Sequence, residues 1–120
     1  MGLRVAVATE NGVEVQHFGH ATRFHVYDLD RAGIVLVAAR EDVLSSAAAE
    51  ERAASHQRKL ELIRDCGALI VARVGPNALR LIEAQGIAVY ESQDPADDAL
   101  KELAAAEGFD PAPNHGTRPA

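Results

Sequence analysis

The chain of 120 residues carries a formal net charge of −6, is 48% hydrophobic and holds one cysteine, Cys66. That length suits one domain with a real core, and a single cysteine excludes an internal disulfide. A diffuse acidic balance works against nucleic acid, which needs clustered Lys and Arg, and no apolar run reaches the roughly 18–20 residues of a membrane helix. Small ligands, metals and proteins remain as partners. The N-terminus reads as a strand and not as a signal peptide, and the lone thiol fits a reducing, cytoplasmic compartment.

Leu3 to Ala8 is a continuous apolar run, as expected of a strand covered on both faces. Asn11-Gly12 marks a tight turn. Arg23 to Leu29 alternates, with Phe24 and Val26 on one face and His25, Tyr27 and Leu29 on the other. Asp30-Arg31-Ala32-Gly33 is a turn, and Ile34 to Ala39 is a third strand. Such short connections make these strands antiparallel. Glu41 to Ser55, rich in Ala, Ser and Glu, reads as a mobile connection that becomes helical toward its end. From Ala53 to Asp65, His56, Leu60 and Ile63 share a helical face, and Cys66-Gly67 closes the helix with Gly as a left-handed cap. Ala68 to Ala72 is a strand. Pro76 to Gln85 is a helix with Ala78, Leu81 and Ile82 inward, ended by Gly86. Ile87 to Tyr90 is the last strand. Asp94 as N-cap and Pro95 at the first helical position open a final helix, with Ala96, Ala99, Leu100 and Leu103 buried and Gly108 closing it. The tail, residues 109–120, carries three of the five prolines and is expected to be disordered, leaving 1–108 as one domain. The order β-β-β-α-β-α-β-α implies an α/β fold, a five-stranded mixed sheet with helices on its faces.

Four segments could carry chemistry. In His17-Phe18-Gly19-His20-Ala21, two imidazoles lie three residues apart around a glycine that lets the backbone turn or approach a ligand closely. They could converge on one metal, or they could be surface histidines beside a turn that Phe18 plugs into the core. Val74-Gly75-Pro76-Asn77 opens a helix, where unpaired backbone N–H groups favour a carboxylate or phosphate, with Arg73 as a neighbouring cation. The competing reading is a plain strand-to-helix turn. Cys66 is either a small buried hydrophobe or a cluster ligand. His56 either packs or faces a cleft. His25 lies mid-strand and His115 in the tail. The candidate metal set is therefore His17, His20, Cys66 and His56. The candidate ligand-binding set is His17, Gly19, His20, Arg73, Gly75, Pro76 and Asn77.

Taken in order, these pieces resemble the dinitrogenase iron-molybdenum cofactor biosynthesis family, which includes the NifX and NafY carriers and the C-terminal part of NifB. The resemblance runs from Leu3 to about Tyr90. It rests on Val5-Ala6-Val7-Ala8-Thr9, on His17-Phe18-Gly19-His20-Ala21 followed by Phe24 and Tyr27-Asp28, and on Asp65-Cys66 before Ala68–Ala72. Val74-Gly75-Pro76-Asn77-Ala78-Leu79 and Gly86-Ile87-Ala88-Val89-Tyr90 complete it. It implies a ribonuclease H-like three-layer α/β/α fold. It also implies an iron–sulfur or iron–molybdenum cluster carried as cargo, His17 as lead ligand, and cofactor-assembly or nitrogenase proteins as partners. A carrier needs few ligands because it must release what it holds. Nucleases of the implied fold use clustered carboxylates, whereas Glu10, Asp28 and Asp30 form no persuasive cluster, so an enzyme is not expected. A cofactor-free protein–protein adaptor is the alternative. The sequence leaves the oligomeric state open, a homodimer included.

Overall fold

In a computed structural model, residues 2–31, 33–41 and 52–107 are described; the side chains of His20 and of residues 52–56 lie outside that description, as do the 42–51 connection, Gly108 and the tail with His115. The strands are β1 (Leu3–Ala8), β2 (Arg23–Asp30), β3 (Gly33–Glu41), β4 (Ala68–Val71) and β5 (Ala88–Glu91). The helices are α1 (Arg52–Ile63), α2 (Pro76–Ala84) and α3 (Ala96–Ala106), and a short 3-10 turn spans Phe18–His20. The expected element order is the observed one.

One mixed sheet has the order β3-β2-β1-β4-β5. The meander β1-β2-β3 is antiparallel, with Val5 opposite Tyr27 and Ala8 opposite Phe24. The strands β1, β4 and β5 run parallel. Alternation sorts the side chains into two cores, as a period of two requires. On one face Ala6, Ala8, Phe24, Val26, Leu69 and Val71 pack under Leu60 and Ile63 of α1 and Ala78 and Ile82 of α2. On the other, Val5, Val7, Tyr27, Leu29, Ala68 and Ile70 pack under Ala96, Ala99, Leu100 and Leu103 of α3. The sheet is thus a middle layer between helices.

Three local expectations are corrected. Gly67 is not a left-handed cap, since the positive-φ glycines are Gly12, Gly33 and Gly86. Helix α1 stops at Ile63, and Gly67 already lies in the sheet, donating to Arg4 O at 2.8 Å and accepting from Ala88 at 3.1 Å. A Cβ there would meet Leu3 Cδ1 at 2.8 Å, so a larger residue would have to push the Leu3 side chain aside. Leu81 is 39% exposed, because a short helix turns only Ala78 and Ile82, one turn apart, onto the core. The N-cap of α3 is Pro95, not Asp94, and no side chain caps it. Val13 O accepts the Ala96 N–H at 2.7 Å, so a distant loop supplies the cap. Finally, β3 forms as expected but at the sheet edge, leaving Val35, Leu36 and Val37 exposed. A register shift between Val26 and Tyr27 interrupts its ladder, a bulge of the kind that guards open edges.

Candidate functional site

The parallel strands β1, β4 and β5 all end on one side of the sheet, and the loops that follow them meet there. In open α/β sheets that is the side where ligands bind. The loop after β1 returns along the extension of β4. Gln16 N–H donates to Ala8 O (2.7 Å), Ala72 N–H to Gln16 O (2.9 Å) and Phe18 N–H to Arg73 O (2.9 Å). His17 and Arg73 thereby form an isolated parallel bridge. The lead candidate ligand His17 and the candidate cation Arg73, fifty-odd positions apart in the chain, are neighbours.

Phe18 is buried and its ring lies 6.2 Å from that of Phe24, so the turn is anchored in the core while His17 remains exposed. The Phe18 plug is observed, with the His17 imidazole on the surface beside it. Gly19 is exposed, with nothing within 4 Å of a Cβ built on it. Gly75 caps α2 with no side-chain hydrogen bond, Pro76 occupies the first turn, and Leu79 N–H donates back to Gly75 O at 2.9 Å. Asn77 Oδ1 accepts from Arg80 Nη2 at 2.6 Å. The second loop is tied to the third, since Val74 N–H donates to Glu91 Oε2 at 3.1 Å and Gln93 Nε2 to Ala72 O at 2.7 Å. Glu10, also on this side, accepts from the Thr22 hydroxyl and N–H, and the hydroxyl bond above all holds its carboxyl below the usual range.

The site contains a cation the sequence reading passed over. Lys59 of α1 is 3% exposed, and its Nζ donates to Phe18 O (3.0 Å) and Gly19 O (3.1 Å) while lying 5.2 Å from the Phe18 ring centroid. A signal was present, for Lys59 sits in the apolar stripe of α1 beside Leu60, one turn before Ile63. The roles of Glu91 and Gln93 had no such signal, because they depend on how loops meet. His56 precedes Lys59 by one turn, so α1 carries its backbone toward this end.

Cys66 is not brought to this site. It precedes β4 whereas Arg73 follows it, and extended chain at about 3.3 Å per residue puts them roughly 20 Å apart. One metal ion cannot take both Cys66 and His17. The thiol is 5% exposed, with Sγ 3.7 Å from Asp65 Oδ1. Burial foremost, then the Asp65 carboxylate, pushes it up to about 12, so it is held as the thiol at neutral pH. The carboxylates weighed as an enzyme centre are also dispersed. Glu10 is at the loop end, Asp28 is paired with Arg4 at the far end of β1, and Asp30 Oδ1 accepts from Gly33 N–H. Among the described residues no group of three or more His, Cys, Asp or Glu could hold a metal ion, and no helix is long and apolar enough to cross a membrane.

The family described as "Dinitrogenase iron-molybdenum cofactor" matches residues 1–106. The chain belongs to this iron-molybdenum cofactor family. Its match ends where α3 ends, so all eight strands and helices and the loop end fall within the family's span. The chain is 34% identical over 113 residues to FeMo cofactor biosynthesis protein NifB of Frankia alni, covering 91% of this chain and 22% of that protein. With NifB of Klebsiella pneumoniae it is 36% identical over 89 residues, 69% of this chain and 19% of the relative. It therefore spans about a fifth of the length of these curated relatives. A dinitrogenase-like protein of Methanocaldococcus jannaschii superposes with a TM-score of 0.60 at 12% identity, covering 91% of this chain and 92% of that one, which shows a shared fold.

Proposed function

We propose that this chain is a carrier or scaffold that holds an iron–sulfur or iron–molybdenum cluster species during assembly of a nitrogenase-type cofactor and passes it on without converting it. The observation that supports this most is the bridge that sets the exposed His17 beside Arg73 at the loop end of the parallel strands, next to the N-terminus of α2. The imidazole suits a metal of the cluster. Arg73 and the backbone N–H groups of Gly75 and Asn77, on either side of Pro76 at the start of α2, suit carboxylates of an organic acid on the cargo. A site with few anchors fits a cluster that brings its own internal bonding and must be released. His20 and His56 remain candidate ligands by the position of their backbones, and Cys66 leaves the set.

The sheet order and the helix layers favour the ribonuclease H-like description of the fold. In this reading the partners are cytoplasmic cofactor-assembly or nitrogenase proteins that deliver and accept the cargo.

The test is an anaerobic titration of the apo-protein with an iron–sulfur cluster precursor and with isolated iron-molybdenum cofactor. Visible absorption and electron paramagnetic resonance follow it, with a His17→Ala, His20→Ala variant alongside. Saturable uptake by the wild type, weakened about tenfold or more in the variant, is the expected result. Failure of the wild type to bind either species rejects the carrier and favours the cofactor-free adaptor.

A further inference from the structure

The geometry points to Lys59 as the positioning residue of the cargo turn, and this rests on the carrier reading above. The ammonium reaches from α1 to both carbonyls that lie between His17 and His20, Phe18 O at 3.0 Å and Gly19 O at 3.1 Å. It also lies over the ring of Phe18. Phe18 O accepts the Ala21 N–H as well, at 3.2 Å, so the bond that winds the 3-10 turn and the bond from Lys59 share one oxygen.

The arrangement has a chemical logic. A buried ammonium costs much free energy unless its protons find acceptors, and here backbone carbonyls supply them. Lysine delivers three donors at the end of a long arm, so a helix packed under the sheet can reach a turn above its edge. Lys59 sits in α1 beside Leu60 and one turn before Ile63, both of which face the core. Fixing the carbonyls of residues 18 and 19 fixes the peptide planes between the two histidines, and with them the directions in which residues 17 and 20 leave the backbone. Lys59 touches no cargo in this account. It sets where the imidazoles start from, and α1 becomes part of the binding device as well as of the core.

The experiment uses the full chain as Lys59→Met and Lys59→Arg, with Ile63→Val as a control that weakens the same helix without touching the turn. Amide hydrogen exchange in the apo-protein reads the Ala21 N–H against amides of β1 and β4. Titration with isolated iron-molybdenum cofactor reads affinity. In Lys59→Met the Ala21 amide is expected to exchange roughly tenfold or more faster than the core amides account for, and cofactor affinity to fall about tenfold. Lys59→Arg, which keeps the charge and the donors, should recover part of both, and Ile63→Val should change neither beyond its global effect. If Ala21 exchange in Lys59→Met tracks the core amides, or affinity equals that of wild type, Lys59 is not a positioning residue. If wild type itself binds no cofactor, the carrier reading falls and takes this proposal with it, a result separate from a Lys59→Met variant that binds as well as wild type.

Discussion

The two ends of the sheet are held together by different means. At the N-terminal end of β1 and β4, charged side chains satisfy one another. Arg4 grips Asp28 in a bidentate pair (2.8 and 3.1 Å) and reaches Asp65 at 3.2 Å, while Arg40 takes the same Asp65 at 2.6 and 3.0 Å and donates to Leu62 O. An open groove of ≈ 510 Å³ lies there, lined by Gly2, Arg4, Asp28, Asp30, Asp65 and Gly67, but its charges are largely spent on each other. At the loop end the fastening is done by backbone bonds, by Lys59 on backbone carbonyls and by Gln93 on Ala72 O. That leaves His17 and Arg73 exposed. The size of a cavity is therefore a poor guide here. Charge pairs on Asp65 and Asp28 dominate one end, whereas backbone hydrogen bonds carry more of the fastening at the other.

The largest test of that contrast concerns the plug. Phe18→Ala should cost about 3–5 kcal/mol in chemical denaturation, because a fully buried ring over Phe24 is lost. Cys66 tests the other end. With its thiol pushed up to about 12, native protein at pH 8 should react with an aromatic disulfide at least about a hundredfold more slowly than unfolded chain. Fast native reaction would mean that this end is open.

Asp65→Asn should cost about 1 kcal/mol, less in high salt, since the lost pairs are partly exposed. Acid should weaken the two ends in sequence. His25, near the loop end, is held below the usual imidazole range by burial first and then by Arg23, and its Nδ1 is buried without a partner. The fold therefore prefers it neutral, and stability should begin to fall as pH drops below the ordinary imidazole range. Asp65, held well below the ordinary carboxylate range chiefly by Arg40, and Asp28, lowered by Arg4, stabilise the fold above that range, and their contribution is lost further down. A melting series in pH should show the first stage removed by His25→Gln and the second reduced by Asp65→Asn; one undivided transition in all three proteins would contradict it. The smallest effect is expected of His17→Ala, within about 0.5 kcal/mol of wild type, because an exposed surface side chain contributes little to folding.

Much of the fold was legible because it depends on local pattern. The unbroken run Leu3–Ala8, the alternation in Arg23–Leu29 and the Gly86 stop after α2 each follow from the periods and dihedrals of short segments. The site was legible only as pieces. His17, Arg73 and the Gly75-Pro76-Asn77 turn each had a reason to be singled out, but nothing in their spacing said that His17 and Arg73 would pair or that Cys66 would not join them. That depends on β1 and β4 being parallel neighbours, which sends everything after them to one end and everything before them to the other.

By itself the sequence determined which segments are strands and helices and most of the faces they bury, Leu81 excepted, since side-chain size, charge and backbone preference act over a few residues. Tertiary structure alone decided what caps α3, that Gly67 bridges Arg4 and Ala88, and that Lys59 holds the turn beside His17. Each of these joins groups far apart in the chain, and hydrogen bonds and close contacts are short-ranged in space, so only the folded arrangement brings them into existence.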